Sequence, residues 1–268
     1  MKAAVGQNDE VPIFGRAKAE GRMDGVVEMC LPTLTASQSY LGRCRLLVRI
    51  SCFLATRISM SSIEAAIDSL LSLPSTSTLR LSVLADYVIN LLKRTGLPSA
   101  MGGSSGELAV PGLARTKNWD VAYEFAGKFR LLVSLKSMLK NISGQVPNRL
   151  DDLQGELSNV QQLRPEIVIG YVNLFDVAQD SVRKDGGLLW STYFENALKS
   201  IAIRRAPLWN QGLLEGLWFI RFDSRRPVGK RIVDPRITAR ERKSFVRSLL
   251  VELALREPAI PFGRRNWS

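Results

Sequence analysis

The apolar residues of this chain recur at steps of three and four positions, and this spacing constrains the fold more than any other feature of the sequence. Such steps place side chains on one face of an α-helix, because a helix completes one turn every 3.6 residues. The alternation that marks a half-buried strand is nearly absent, and only residues 218–222 and 230–233 are candidates for a short pair of strands. The sequence therefore predicts an all-α protein, a multi-helix globular body with about seven to nine helices.

Capping residues and helix breakers suggest where these helices begin and end. Ser61 and Glu64 have the spacing of a capping box, as do Thr238 and Glu241 near the C-terminal end. Pro147 lies where a helix should stop, because proline lacks the backbone N–H that a helix interior needs. The clearest predicted helices cover residues 61–74, 78–95, 118–141, 165–186, 188–205 and 238–256.

Residues 97–117 divide this helical sequence into two parts. The segment is rich in glycine, serine and proline and has little periodicity, which is typical of a linker or a loop. We therefore expect an N-terminal helical lobe over residues 26–96 and a C-terminal helical lobe with a basic surface over residues 118–257. Residues 1–25 form a predicted flexible leader, and residues 258–268 form a predicted basic tail.

The sequence contains no histidine, and this excludes several kinds of active site. A Ser-His-Asp triad, a Cys-His pair and a histidine-ligated zinc ion all require imidazole. Residues 102–106 match the G-x-S-x-G pattern of a nucleophile elbow, but a histidine and a preceding strand are missing from the predicted context. We therefore expect a protein that is not an enzyme, with no catalytic residue, no metal site and no cofactor. An enzyme that uses carboxylates and arginines is the remaining catalytic alternative.

The cysteines and the hydropathy pattern indicate where the protein resides. Cys30, Cys44 and Cys52 are odd in number and fit neither a disulfide framework nor a C-x-x-C pair, so we expect buried thiols in a reducing compartment. No segment approaches the ~20 apolar residues of a membrane span, and residues 1–22 lack the apolar stretch of a secretion signal. The sequence therefore predicts an intracellular protein, cytoplasmic or nuclear, that is neither secreted nor transmembrane.

Positive charge is concentrated at the C-terminal end of the chain. Sixteen of the 37 basic residues lie in positions 199–268, against six acidic ones, while the whole chain carries a net charge of +12. Most of them are arginines, whose planar guanidinium binds phosphate oxygens in pairs and stacks on bases. A basic loop followed by a basic helix face should form one positive surface. The predicted nucleic-acid-binding residues are Arg221, Arg225, Arg226, Lys230, Arg231, Arg236, Arg240, Lys243, Arg247, Arg264, Arg265 and Trp267.

This surface favours a non-enzymatic structural protein that packages RNA or single-stranded nucleic acid with little sequence specificity, in the manner of a nucleocapsid. Phosphate contacts would supply the affinity, Trp267 would stack on bases, and homo-oligomers would assemble along the strand. One alternative is a matrix-type peripheral scaffold that binds an anionic membrane surface, a nucleoprotein or both. Another is an adaptor or inhibitor that docks on an acidic protein.

Overall fold

A mixed β-sheet, and not a helical bundle, forms the centre of the protein, so the all-α prediction is wrong. A computed structural model of the chain describes residues 62–207 and 209–262. Its helices are α1 (Ile63–Ser72), α2 (Ser82–Arg94), α3 (Ile142–Leu163), α4 (Trp190–Ile201) and α5 (Pro235–Arg256). Its strands are β1 (Ala100–Gly102), β2 (Leu108–Val110), β3 (Lys117–Trp119), β4 (Val121–Phe125), β5 (Lys128–Met138), β6 (Val168–Asp176) and β7 (Gly216–Phe222). Short 3₁₀ helices lie at Thr78–Leu81, Gly103–Ser105 and Val177–Gln179. The predicted leader and the three cysteines lie outside the described residues.

The main sheet has the strand order β1-β4-β5-β6-β7, while β2 and β3 pair in a small separate sheet. Strands β1, β4 and β5 are antiparallel neighbours, and β5, β6 and β7 run parallel. Helix α3 connects β5 to β6 and α4 connects β6 to β7, as parallel strands require a crossover. Helices α3 and α4 share one hydrophobic core with the sheet, and α1, α2 and α5 share the other. The described part is therefore a three-layer α/β structure.

The two longest strands were predicted as helices because helices cover both of their faces. All nine residues of β6 are buried, and in β5 the side chain of Leu131 joins one core while that of Leu132 joins the other. A strand that is buried on both faces is a continuous apolar run, so the alternation that identifies half-buried strands disappears. The turn between β4 and β5 contains Ala126 and Gly127, both with positive φ. A two-residue turn of this kind connects antiparallel strands and cannot lie inside a helix.

Other sequence predictions are confirmed or shifted by a few residues. Helices α1, α2 and α4 occur where predicted, and Ser62 caps α1 by accepting a hydrogen bond from the N–H of Ala65 at 3.0 Å. Helix α5 begins earlier than predicted, because Asp234 rather than Thr238 is its N-cap. Helix α3 continues through Pro147, which we predicted would end a helix. Within the described residues, no helix is long and apolar enough to cross a membrane.

Two glycines allow α5 to lie close against the sheet. A Cβ atom on Gly170 of β6 would come within 2.9 Å of the Phe245 ring, and one on Gly216 of β7 would come within 2.9 Å of Leu249. Both distances are shorter than a van der Waals contact, so a larger side chain at either glycine would push the helix away. The absence of a side chain at Gly170 and Gly216 therefore fixes where α5 sits.

A buried ionic cluster joins the start of β7 to the end of α5. The Glu215 carboxylate accepts hydrogen bonds from Arg204 at 2.7 Å and from the Ile169 N–H at 2.6 Å, and Arg256 lies 2.8 Å away. The side chains of Arg204 and Glu215 are fully buried, and that of Arg256 is nearly so. Burial raises the pKa of Glu215, while the attraction of Arg256 and Arg204 opposes that increase. Three backbone carbonyls, including that of Ile167, accept further N–H groups of Arg204.

Replacing Glu215 with glutamine should strongly destabilise the protein. The variant Glu215→Gln leaves the buried guanidinium of Arg204 without its carboxylate partner, although Arg256 keeps Glu252 at 3.3 Å. Breaking a buried ion pair in this way costs about 3–5 kcal/mol of unfolding free energy. Urea denaturation of wild type and variant measures the difference. The control is Glu107→Gln, the same change at an exposed side chain, which should alter stability by no more than about 0.5 kcal/mol. Equal stability of the two variants would contradict a supporting role for the cluster.

Candidate nucleic-acid interface

One side of α5 carries a line of exposed basic side chains. Arg236, Arg240, Lys243 and Arg247 are all exposed, and they follow one another at steps of four, three and four residues. Such steps keep them on one side of the helix, over a length of about 16 Å at 1.5 Å per residue. The opposite side packs on the sheet through a stripe that includes Phe245. We call Arg236, Arg240, Lys243 and Arg247 the basic face of α5.

The side chains of the basic face are not bonded to other side chains among residues 62–207 and 209–262, although Arg240 acts electrostatically on Glu241. No hydrogen bond or ion pair to any described residue involves their guanidinium or ammonium groups, although the backbone N–H of Arg236 donates to the cap residue Asp234. Glu241, the nearest acid along the helix, is half-buried, and burial raises its pKa although Arg221 opposes the increase. The basic face is therefore available to an anionic partner.

The loop before α5 contains basic residues of a different kind, because most of them bind within the protein. Arg225 binds Asp223 through two hydrogen bonds of 2.9 Å, and Arg226 donates to the Ile232 carbonyl at 2.9 Å. Arg231 forms an ion pair with Asp68 of α1 at 2.7 Å and also donates to the carbonyl of Ser224. These three arginines hold the loop in place.

Lys230 differs from its neighbours in the loop. Its side chain is exposed and has no hydrogen bond or ion pair to any residue that the structure describes. The next residues along the chain lead directly into α5. Lys230 therefore adds a fifth accessible cation to those of the basic face.

Arg221 lies in β7, and its side chain contacts other residues of the protein. Its guanidinium forms an ion pair with Glu195 of α4 and lies 5.0 Å from the centre of the Phe219 ring. Burial lowers the pKa of Arg221, while the nearby carboxylates of Glu241 and Asp180 oppose that shift. The structure therefore gives Arg221 a packing role between β7 and α4.

The predicted surface thus divides into accessible and engaged residues. The accessible ones, which are exposed and form no hydrogen bond or ion pair with described residues, are Lys230 and the basic face of α5. The engaged ones, which bind other described residues, are Arg221, Arg225, Arg226 and Arg231, although Arg225 and Arg226 are exposed as well. The remaining predicted residues, Arg264, Arg265 and Trp267, lie outside the described residues. The sequence could identify the line on α5 from its spacing, but it could not reveal which loop arginines have partners.

Sequence reasoning missed a group of buried polar side chains on the opposite side of the sheet. Tyr171 and Asn173 lie in β6, a segment that we interpreted as a helix, and both are fully buried. A single signal pointed to them: an asparagine within an otherwise apolar run. In the described part of the chain, no set of three or more histidine, cysteine, aspartate or glutamate side chains is placed to hold a metal ion.

The pairing of Arg225 with Asp223 can be tested by titration. Hydrogen bonds from Arg225 hold the pKa of Asp223 at about 2, below its ordinary value of 3.8. Because the folded pKa lies below the unfolded one, this pair stabilises the fold above pH 4 and the contribution disappears as the pH falls towards 2. In Arg225→Ala, the pKa of Asp223 should rise towards 3.8, as measured by carbon NMR of the carboxyl group. Lys230→Ala in the same loop should leave it unchanged. An unaltered pKa in Arg225→Ala would show that Arg225 is as free as Lys230.

Known proteins give no further guidance to this site. No family model, no curated protein and no solved structure matches the chain significantly.

Proposed function

We propose that the protein binds RNA or single-stranded nucleic acid by contacting phosphates with the basic face of α5 and with Lys230. The observation that carries this proposal is the line of exposed cations along one helix, none of which forms a hydrogen bond or ion pair with a described residue. An exposed guanidinium without an internal acceptor breaks no bond within the protein when it binds a phosphate, and arginine can bind two phosphate oxygens at once.

The engaged arginines support the interface from within. Arg231 connects the loop to α1, and its backbone N–H donates to Glu64 at 2.8 Å. Breaking such internal bonds to reach a phosphate would offset much of the energy gained. We therefore assign phosphate contacts to the accessible residues and loop positioning to the engaged ones.

Low sequence specificity follows from the chemistry of the basic face. Arginine and lysine side chains that bind the backbone position a nucleic acid but do not read its bases. The packaging role that we predicted from the sequence depended on an all-helical body. The fold is α/β, and packaging stays a prediction that rests on the basic surface alone.

The salt dependence of RNA binding tests the number of phosphate contacts. Five contacts to a single strand give a slope of about −3.5 in log affinity against log salt, so affinity should fall about 100-fold between 50 and 200 mM salt. Fluorescence anisotropy of a labelled single-stranded RNA measures the affinity. An affinity that scarcely changes over this range would contradict a phosphate interface.

A four-site variant tests where that interface lies. Arg236→Gln, Arg240→Gln, Lys243→Gln and Arg247→Gln together should remove most of the affinity and reduce the salt slope from about −3.5 to about −0.7, because each lost phosphate contact lowers the slope by about 0.7 and only that of Lys230 remains. The matched control changes four exposed lysines elsewhere to glutamine, and these are Lys93, Lys128, Lys140 and Lys184. Both variants lose the same net charge. An equal loss of affinity in both would show that overall charge, and not the basic face, attracts the nucleic acid.

The membrane alternative has one observation in its favour. Val251 and Leu255 are 44% and 60% exposed on the last turns of α5, beyond Arg247. Exposed apolar residues beside cations are typical of helices that lie on a membrane surface. Co-sedimentation with anionic vesicles separates the two functions: wild-type protein that binds vesicles and fails to bind RNA would favour the membrane.

A further inference from the structure

An open cavity of about 470 Å³ lies between the N-terminal end of α1, one side of α2 and the first turns of α5. Sites for small molecules typically have volumes of about 300 to 1,000 Å³. The lining residues of α2 lie three and four positions apart, which places them on one side of that helix, and they are Tyr87, Asn90, Leu91 and Arg94. Three helices therefore form a concave surface that is large enough for a planar ring.

The cavity adjoins the basic face of α5. Pro235, Ala239 and Arg242 line it, and each directly precedes a residue of the basic face. Consecutive residues of a helix are separated by about 100° around its axis, because one turn takes 3.6 residues. The cavity therefore lies about a quarter turn from the line of exposed cations. A strand whose phosphates follow the basic face passes beside the cavity, with its bases within reach.

Most of the cavity wall is apolar. Ile63 of α1, Leu91 of α2 and Ile232 of the loop before α5 contribute aliphatic side chains. Ile63 and Ile232 are almost fully buried, and Leu91 is half-buried. Because burial of apolar surface is favourable, a planar ring that displaces water from these walls gains free energy. The faces of a nucleobase are suited to such walls.

Two hydroxyl groups that line the cavity can donate hydrogen bonds to a ligand. An N–H of Arg242 donates to Tyr87 Oη at 2.6 Å, so the hydroxyl proton of Tyr87 is left for another acceptor. Thr238 is only 5% exposed, and its carbonyl accepts the indole N–H of Trp218. Its hydroxyl, however, forms no hydrogen bond with any described residue. A buried hydroxyl without a partner is costly, and a ligand that accepts its proton removes that cost.

The charge inside the cavity suits a neutral ring better than an anion. Among the described residues that line it, Glu64 is the one acid. Its two carboxylate oxygens accept the backbone N–H groups of Arg231 at 2.8 Å and of Ile232 at 3.1 Å, which fixes the carboxylate on the loop. A negative charge placed beside Glu64 would be repelled, whereas an uncharged base would not. The phosphates of a bound strand would instead lie along the basic face.

The available donors favour a base that carries a carbonyl oxygen. The hydroxyl groups of Tyr87 and Thr238 can donate, and so can the N–H groups of Arg242 that do not bind Tyr87. Uracil offers two carbonyl oxygens as acceptors. Adenine has no carbonyl and presents an amino group, which is itself a donor, beside its ring nitrogens. The chemistry of the cavity therefore favours uracil over adenine.

We propose that this cavity binds one base of the strand whose phosphates contact the basic face, and that it prefers uracil to adenine. Tyr87 and Thr238 donate to the carbonyl oxygens, and the aliphatic walls contact the faces of the ring. The proposal rests on the proposed function, because the basic face brings the strand to the cavity. It gives an interface that is otherwise indifferent to sequence a modest preference at one position.

Three single strands with the same number of phosphates test the cavity. They are decamers of deoxyuridine, of deoxyadenosine and of abasic tetrahydrofuran residues, each labelled for fluorescence anisotropy. We expect the wild type to bind deoxyuridine at least about fivefold more tightly than the abasic strand, the lower end of what contact with one base contributes. Deoxyadenosine should bind more weakly than deoxyuridine. Equal affinity for deoxyuridine and the abasic strand would overturn the base site, and equal affinity for the two bases would overturn the preference.

Two variants make the result specific to the cavity. Tyr87→Phe removes a donor and keeps the ring, while Ala239→Leu fills part of the cavity. Each should weaken deoxyuridine binding at least about threefold, as expected for the loss of a hydrogen bond or of the space for the ring. Neither should change the affinity for the abasic strand. Tyr193→Phe, the same change at a half-buried tyrosine of α4, should bind all three strands like the wild type. Unchanged deoxyuridine affinity in both cavity variants would overturn the proposal.

The abasic strand separates a failure of this site from a failure of the proposed function. If all three strands bind equally and with the same salt dependence, the phosphate interface stands and the cavity does not hold a base. If no strand shows salt-dependent binding, the proposed function is wrong, and the base site is wrong with it.

Discussion

The ionic cluster around Glu215 is the interaction on which the arrangement of this sheet and its helices depends. Glu215 lies just before β7, and its carboxylate binds the backbone of Ile169 in the neighbouring strand β6. Arg204 reaches from the end of the α4 connection to carbonyls that precede β6, and Arg256 is the last residue of α5. One carboxylate thus joins two parallel strands, a crossover and the final helix. Because α5 carries the basic face, the orientation of the candidate interface also depends on this buried charge.

The helices could be predicted from the sequence better than the strands, because the strands are buried on both faces. Helix α1 could be predicted because it is a half-exposed amphipathic segment, whose polar side keeps the periodicity visible, although its N-cap is Ser62 and not the predicted Ser61. Strands β5 and β6 could not, because helices cover both faces and every position tends to be apolar. Asn173 and Lys136 are polar residues within these strands, and neither indicates a strand in the sequence. Only the strand register shows that the two lie side by side.

The candidate interface was predictable in part for a similar reason. Residues on one helix are related by fixed spacing, so the alignment of Arg240, Lys243 and Arg247 follows from the sequence. Contacts between distant segments are not fixed in this way. The ion pair of Arg231 with Asp68 joins residues 163 positions apart, and no local pattern predicts it. Charge composition indicated a basic region, and tertiary structure decided which charges in it remain accessible.

The close packing of α5 over Gly170 and Gly216 affects how the basic face can bind a ligand. A helix whose aromatic and leucine side chains lie directly over two glycines has little freedom to slide or rotate on the sheet. The Cα positions of the basic face are therefore set before any ligand arrives, and only the ends of four long side chains become ordered on binding. Preorganisation of this kind reduces the entropy lost in association. Two residues without side chains, buried beneath the helix, thus influence how strongly its solvent-facing side can hold a flexible polymer.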